Sequence, residues 1–386
     1  MSLLIHNARQ VDAGGVTDGA WVYASGGLIE ATGTGTTWRA DIGARRSDQD
    51  ALVDAQGMTL TPGFIDLHAH GGAGRRFEDG MPAIEAALAI HRRHGTTRSV
   101  VSLASSDLDS LARSLTDVAE LTGRDPLVLG SHLEGPYLSP NRCGAHDPAV
   151  LRAPRLDEVT ALVDAARGSL RQITIAPELP GALDAIRQLA TQGVVAAVGH
   201  TEADYARTRA AFDAGATVLT HAYNGMPGIG HRAPGPVVAA FDDDRVFVEL
   251  INDGHHVDAR VVALTFANAK GRVALITDAM AAAGAGDGDF SLGGRAVTVT
   301  QGVARLTGTG TLAGSTITLD VALRGAVQAG IPEPVAVAAA TSVPAAALGL
   351  GHRLGRLSVG YAADLVLLDA AWRVVTVFAD GVQLFG

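Results

Sequence analysis

Two histidines separated by one residue end the apolar run GFIDLHAH, residues 63 to 70. Alternate residues of a strand share a face, so His68 and His70 point the same way where strand geometry reaches the end of the run. Two imidazoles aimed at one point suit a divalent metal. Further candidates end later apolar runs: Glu134 in PLVLGSHLEGP, His200 in VVAAVGHTE, His221 in ATVLTHAYN and Asp278 in RVALITDAM. Any one of these alone reads as a satisfied polar residue or a helix cap. Six of them at matching places in the pattern read as one site. Imidazole nitrogen and carboxylate oxygen suit Zn²⁺ and neighbouring ions at about 2.0–2.2 Å. Structural zinc closes its coordination shell, whereas an open His/Glu set leaves room for water, so the expected centre is catalytic. Asp278 then takes the proton of that water and returns it to a leaving group.

Such a site needs elements that bring distant residues to one rim. Eight strand-like runs are present: TPGFIDLHAH, TTRSVVSLAS, PLVLGSHLEGP, RQITIAPE, VVAAVGHTE, ATVLTHAYN, RVFVELINDGHH and RVALITDAM. Helical stretches such as MPAIEAALAIHRRHG and RLDEVTALVDAARGSL alternate with them. The pattern predicts an α/β fold, a (β/α)₈ barrel of the TIM type, with function at the carboxyl ends of its strands. The two ends of the chain are different. LLIHNARQV, AWVYASGGLIEATG and ALVDAQGMTLTP at one end, and DLVLLDAAWRVVTVFADGVQLFG at the other, read as short strands with glycine turns. They predict a small β-sandwich domain built from residues 1–60 and 353–386 around a barrel of 61–352, since termini commonly lie close together. After the eighth run, SLGGRAVTVTQGVARLTGTG reads as a hairpin insertion, and a helix is expected to start near Ser315 as its N-cap.

Composition narrows the partners. The chain of 386 residues has a net charge of −10 and a pI near 5.7, which argues against nucleic acid and toward small molecules. It is 47% hydrophobic, yet no apolar run reaches the length of a membrane span. The start MSLLIHNARQ has no basic segment followed by a long apolar one, so a cytoplasmic location is the expectation. Cys143 is the single cysteine, which leaves any metal to His, Asp and Glu. Cys143 itself reads as an ordinary loop thiol, and Glu178 at the end of the fourth run as a supporting carboxylate. The GAGDGD segment lacks the strand-to-helix context of a dinucleotide fingerprint.

The HxH pair, HLEGP at 132–136, GHT at 199–201, THAYNGM at 220–226 and TDAM at 277–280 resemble the amidohydrolase superfamily. GPYLSPNRCGAH through His146, HRAPG at 231–235, DGHH at 253–256 and TLAGS at 311–315 narrow the resemblance to the N-acetylglucosamine-6-phosphate deacetylase family. The resemblance spans nearly the whole chain. It implies that Glu134, His200 and His221 hold the main divalent metal and that Asp278 is the catalytic acid and base. His68 and His70 match the superfamily's HxH, which leaves one or two metals per subunit open. Lys270, the one lysine, lies ahead of the eighth run and cannot be a carboxylated bridging lysine, so Glu134 is the bridge if there is one. The implied substrate is an amino-sugar phosphate. His146 matches a residue near the sugar and its acetyl carbonyl. Arg232 and His256 match phosphate-side residues, one of them supplied across a homodimer interface, Asn224 and Gly225 match a side-chain and backbone contact to the phosphate, and Leu312, Ala313 and Gly314 fall on the substrate side. His255 receives no role. The metal residues alone equally fit a cyclic-amide hydrolase or an N-acylamino-acid deacetylase, and a non-catalytic sugar-phosphate-binding regulator is disfavoured because no ligand is missing.

Overall fold

The computed structural model describes residues 2–43 and 50–386; residues 44–49 of the expected β-domain lie outside it. The chain divides into two compact units. One comprises Met1–Ile65, His91–Arg98 and Leu319–Gly386, the other Asp66–Ile90 and Ser99–Thr318.

In the first unit, strands from both ends of the sequence share one eight-stranded sheet. Leu365–Leu368 pairs antiparallel with Thr59–Pro62, which runs parallel to Leu3–Asp12. Alternating residues of these strands, among them Leu3, Ile5, Val22, Ile29, Leu60, Leu365 and Phe378, form an apolar core. A buried ion pair sits in the same unit. Arg98 Nε lies 2.7 Å from Asp364 Oδ2, and its Nη2 is 3.0 Å from Asp364 Oδ1 and 2.5 Å from Asp380 Oδ1. Removing one partner of such a pair leaves an uncompensated buried charge. Arg98→Leu is therefore expected to lower stability by about 3–5 kcal/mol, measured as a shift of the urea midpoint without a change of slope.

The parallel sheet carries the strands expected from the eight runs: β1 (Phe64–Ala69), β2 (Thr96–Ala104), β3 (Val128–Glu134), β4 (Leu170–Ile175), β5 (Val195–Val198), β6 (Val218–Leu219), β7 (Phe247–Ile251) and β8 (Val273–Ile276). They neighbour one another in sequence order from β1 to β8. Nearly every residue in them is buried, which is why they read as continuous apolar runs and not as alternating ones. The ring closes through backbone bonds beyond β8. Asp278 N–H donates to the His68 carbonyl at 2.8 Å and His70 N–H to the Ala279 carbonyl at 2.7 Å. Three of the intervening helices begin at aspartate caps, Asp107, Asp204 and Asp258. Asp107 accepts from Ser110 N and opens Leu108–Arg124, whose Leu111, Leu115, Val118 and Leu121 fall at helical spacing and are buried.

Two local expectations are corrected. The insertion after β8 is a three-stranded antiparallel sheet, Gly288–Leu292, Arg295–Thr300 and Val303–Leu306, and not a hairpin; Asp287 accepts from the Gln301 and Gly302 amides at the turn that begins the extra strand. The helix after it starts at Leu319, not near Ser315. Ser315 Oγ donates to the Thr277 carbonyl, and the residue pairs with Ala279 in a parallel bridge, so its hydroxyl is committed to the end of β8. Among the described residues no helix is long and apolar enough to cross a membrane.

Candidate active site

Each expected metal-site residue follows or ends a barrel strand, and three of them have unusual backbone. His200, His221 and Asp278 have φ of 45°, 26° and 48°, in the left-handed region that non-glycine residues rarely occupy. Strain of this kind, about 1–3 kcal/mol per residue, persists where surrounding structure holds it and clusters at functional sites. Neighbouring glycines make room for His200. A Cβ on Gly199 would fall 2.7 Å from Thr174 Cγ2 and Thr220 Cβ, and one on Gly225 would fall 3.0 Å from His200 Nδ1.

Glu134 is the centre. It is 4% exposed, and five imidazole Nε2 atoms surround its carboxylate. His221 and His200 lie 2.9 and 3.1 Å from Oε1, with His68 at 3.4 Å; His70 and His146 lie 3.1 and 3.2 Å from Oε2. His68 and His70 bring their Nε2 atoms within 3.1 Å of each other, as the strand periodicity requires, and His200 and His221 do so at 3.0 Å. Asp278 Oδ1 lies 3.4 Å from His70 Nε2 and 3.7 Å from His68 Nε2. Burial opposes ionisation of Glu134, yet the charge of His68 and the contacts of His146 and His200 hold its carboxyl well below the usual range. Burial likewise opposes charge on His68, and Glu134 outweighs it, raising the His68 pKa well above its ordinary value.

The donor set fits a divalent ion. His200 Nδ1–H donates to the Arg142 carbonyl at 2.7 Å, which leaves the Nε2 lone pair facing His221 Nε2 and Glu134. Ligand atoms about 2.1 Å from a tetrahedral ion are about 3.4 Å apart, close to the spacing of Glu134 Oε1, His200 Nε2 and His221 Nε2. His68, His70 and Asp278 form a second group whose ligand atoms lie within 4.8 Å of one another; Glu134, His146 and His200 form another. His146 differs from the rest in its tautomer. Ser105 N–H donates to its Nδ1 at 3.2 Å, so the neutral ring carries its proton on Nε2 and is a donor there, not a ligand.

A cavity of about 210 Å³ opens over this cluster, lined by Glu134, His146, His200, His221 and Asp278. Asn224, Gly225, His256, Leu312 and Gly314 also line it, as the sequence suggests. His256 is held by Asp253, whose Oδ2 is 2.7 Å from Nδ1. Burial pushes the Asp253 carboxyl up, but the His256 contact brings it down to about 2. Ala313 is buried in the core of the three-stranded insert, and Arg232 is exposed and is not among the residues lining the cavity. Cys143 is half-buried beside Gly144. Glu178 accepts from Thr201 Oγ1 and Glu202 N, so it supports the turn after β5.

Two buried residues escape the sequence pattern. His132, two before Glu134, bridges Ser102 Oγ at 2.9 Å and Thr174 Oγ1 at 2.8 Å; burial and the charge of His68 push its pKa well below the ordinary value. Glu249 in β7 is 0% exposed and contacts His68 Nδ1 at 3.2 Å. A charged residue inside the apolar run FVELI was the available signal.

The amidohydrolase family pattern matches residues 59–384. The chain belongs to the amidohydrolase family. Among curated relatives, this amidohydrolase is 42% identical over 336 residues to the N-acetylgalactosamine-6-phosphate deacetylase of Escherichia coli O157:H7, covering 86% of this chain and 89% of that protein. It is 35% identical to the N-acetylglucosamine-6-phosphate deacetylase of Vibrio furnissii, covering 92% and 90%. The solved structure of a mutant N-acetyl-D-glucosamine-6-phosphate deacetylase from Mycobacterium smegmatis, in complex with N-acetyl-D-glucosamine-6-phosphate, superposes with a TM-score of 0.92 at 41% identity, covering 100% of this chain and 99% of that one. The chain is an enzyme, a hydrolase acting on a carbon–nitrogen amide bond.

Proposed function

We propose that this amidohydrolase converts N-acetyl-D-glucosamine 6-phosphate and water to D-glucosamine 6-phosphate and acetate. The observation that carries the reading is the convergence of five imidazoles on the buried Glu134, with Asp278 beside them at a cavity of about 210 Å³. Glu134, His200 and His221 would hold a divalent ion, Zn²⁺ by donor type, and His68 and His70 a second, with Glu134 between them. A bound ion of this kind supplies Lewis acidity and lowers the pKa of water toward about 7. Asp278 accepts the proton of the attacking water and delivers it to the departing amine. His146, with its proton on Nε2, donates to the acetyl oxygen.

The phosphate is assigned to Asn224, Gly225 and His256 on the cavity wall. Arg232, exposed and absent from that wall, is assigned to the phosphate of the other subunit in a homodimer. Leu312, Ala313 and Gly314 are assigned to the substrate side, Leu312 and Gly314 on the wall. We further propose residues 61–352 as the hydrolase barrel, with 1–60 and 353–386 as the appended β-domain, in a cytoplasmic enzyme. A (β/α)₈ barrel needs a helix after its eighth strand, and Leu319–Gln328 is the first that follows β8.

A second reading has a specific basis. The relative at 42% identity is named for the galactose epimer of the sugar. The test is kcat/KM for N-acetylglucosamine 6-phosphate, N-acetylgalactosamine 6-phosphate and unphosphorylated N-acetylglucosamine. The expected result is turnover of the gluco phosphate at least ~100-fold above the unphosphorylated sugar, about 3 kcal/mol of transition-state discrimination. A clear preference for the galacto epimer replaces the first reading by the second, and no turnover of any of the three removes both.

A further inference from the structure

Glu249 occupies the middle of β7, and its side chain is entirely excluded from solvent. A carboxylate in that position is unfavourable unless its charge and lone pairs are used. Among the described residues its carboxylate meets Gln172, His68 and the His221 backbone. Oε1 accepts from Gln172 Nε2 of β4 at 2.8 Å, and Oε2 lies 3.2 Å from His68 Nδ1 and 3.4 Å from the His221 N–H. A glutamine would fill the same space without the cost of a buried charge. What a carboxylate does that an amide does not is accept only.

That property decides where the proton of His68 sits. Facing an acceptor-only group, Nδ1 must carry the hydrogen. In the neutral ring, the form that can hold a metal, Nε2 is then bare and directed at His70 Nε2, Glu134 Oε1 and Asp278 Oδ1, at 3.1, 3.4 and 3.7 Å. The carboxylate–histidine pair is a recurring way of fixing a ligand's tautomer and orientation. We propose that Glu249 is a positioning residue, which locks the His68 proton on Nδ1 so that Nε2 remains available to a divalent ion. The inference rests on the reading of His68 as a ligand.

Gln172 sharpens the prediction. Its Nε2 donates to position 249, and its own Oε1 is buried without a partner among the described residues. In Glu249→Gln, an unmoved Gln172 draws the new amide oxygen toward itself and turns the new NH₂ toward His68 Nδ1. The ring must then accept at Nδ1 and carry its hydrogen on Nε2, where it blocks the ion. Adding Gln172→Glu reverses this. An acceptor-only side chain at 172 takes the NH₂ of residue 249 and returns the amide oxygen to His68.

The experiment is competitive zinc titration of metal-stripped full-length protein against a chromophoric chelator, for wild type, Glu249→Gln, Glu249→Gln with Gln172→Glu, and His68→Asn. We expect a 10–100-fold weaker zinc affinity in Glu249→Gln and recovery of most of it in the double variant. Unchanged affinity in Glu249→Gln overturns the proposal. If His68→Asn weakens binding and Glu249→Gln does not, His68 is a ligand that needs no positioning by Glu249. If neither does, the reading of His68 as a ligand fails with it. Should Glu249→Gln not fold, ¹⁵N NMR of zinc-loaded wild type decides: a proton on His68 Nδ1 is expected, and a bare or zinc-bound Nδ1 contradicts it.

Discussion

Asp278→Asn lowers kcat for deacetylation by ~10²–10⁴-fold, the usual contribution of a positioned general acid and base, and leaves the bound metal per chain as in wild type. The carboxylate is placed for that work. Its side chain is 13% exposed at the cavity, while His68 and His70 behind it are 0% and 1% exposed, so it is the group that meets water and substrate. Its backbone is left-handed, a conformation that asparagine tolerates better than most residues, so the substitution preserves shape. Asparagine keeps the hydrogen-bonding outline but takes up no proton. Because the transfer is made only in the transition state, the loss falls on kcat and leaves KM close to wild type. Steady-state kinetics beside metal analysis of the same preparation reads both. Undiminished kcat removes Asp278 from the chemistry, and a parallel loss of metal makes it a ligand.

Glu134→Gln has the larger effect, with deacetylation falling to the uncatalysed background. Five imidazole nitrogens lie within 3.4 Å of this carboxylate, and Glu134 itself is buried. A cation placed there needs the negative charge, since an uncompensated buried charge is strongly disfavoured. Outer contacts to ligands already change metal affinity by 10–100-fold, so removing the central anion is expected to weaken binding by more than about 100-fold. Glutamine has nearly the same volume, which keeps the barrel packed. Metal content after dialysis is the measurement. Stoichiometric metal retained in the glutamine variant shows that the histidines suffice and takes Glu134 out of the centre.

The strand-end residues were legible because a parallel barrel strand is buried on both faces. Its interior reads apolar, and the first polar residue after the run marks the rim. That logic finds His68, His70, Glu134, His200, His221 and Asp278. It passes over Glu249 and His132, which lie within runs and point inward, where periodicity in a fully buried strand carries no signal. It also misses the backbone. Nothing in GHT, THA or TDA announces that His200, His221 and Asp278 take left-handed φ, because that is set by where the strands stop and by the bonds that close the ring at Asp278 and His70. Ser315 was misread for a similar reason. A serine ahead of an apolar helical stretch is a sound cap signal, and here a parallel bridge to Ala279 claims it first. Arg232 shows the limit of reading one chain, since its place in HRAPG suggests the phosphate while the residue is exposed and is not among those lining the cavity.

The central claim is that the cluster around Glu134 performs metal-dependent deacetylation of a sugar phosphate. Acetate release from N-acetylglucosamine 6-phosphate, measured on the same protein as metal-replete, as chelator-stripped, and after divalent metal is returned, tests it most directly. The account predicts turnover in the first state, its loss in the second and its recovery in the third. Acetate release that is undiminished by stripping, or absent from the metal-replete protein, contradicts it.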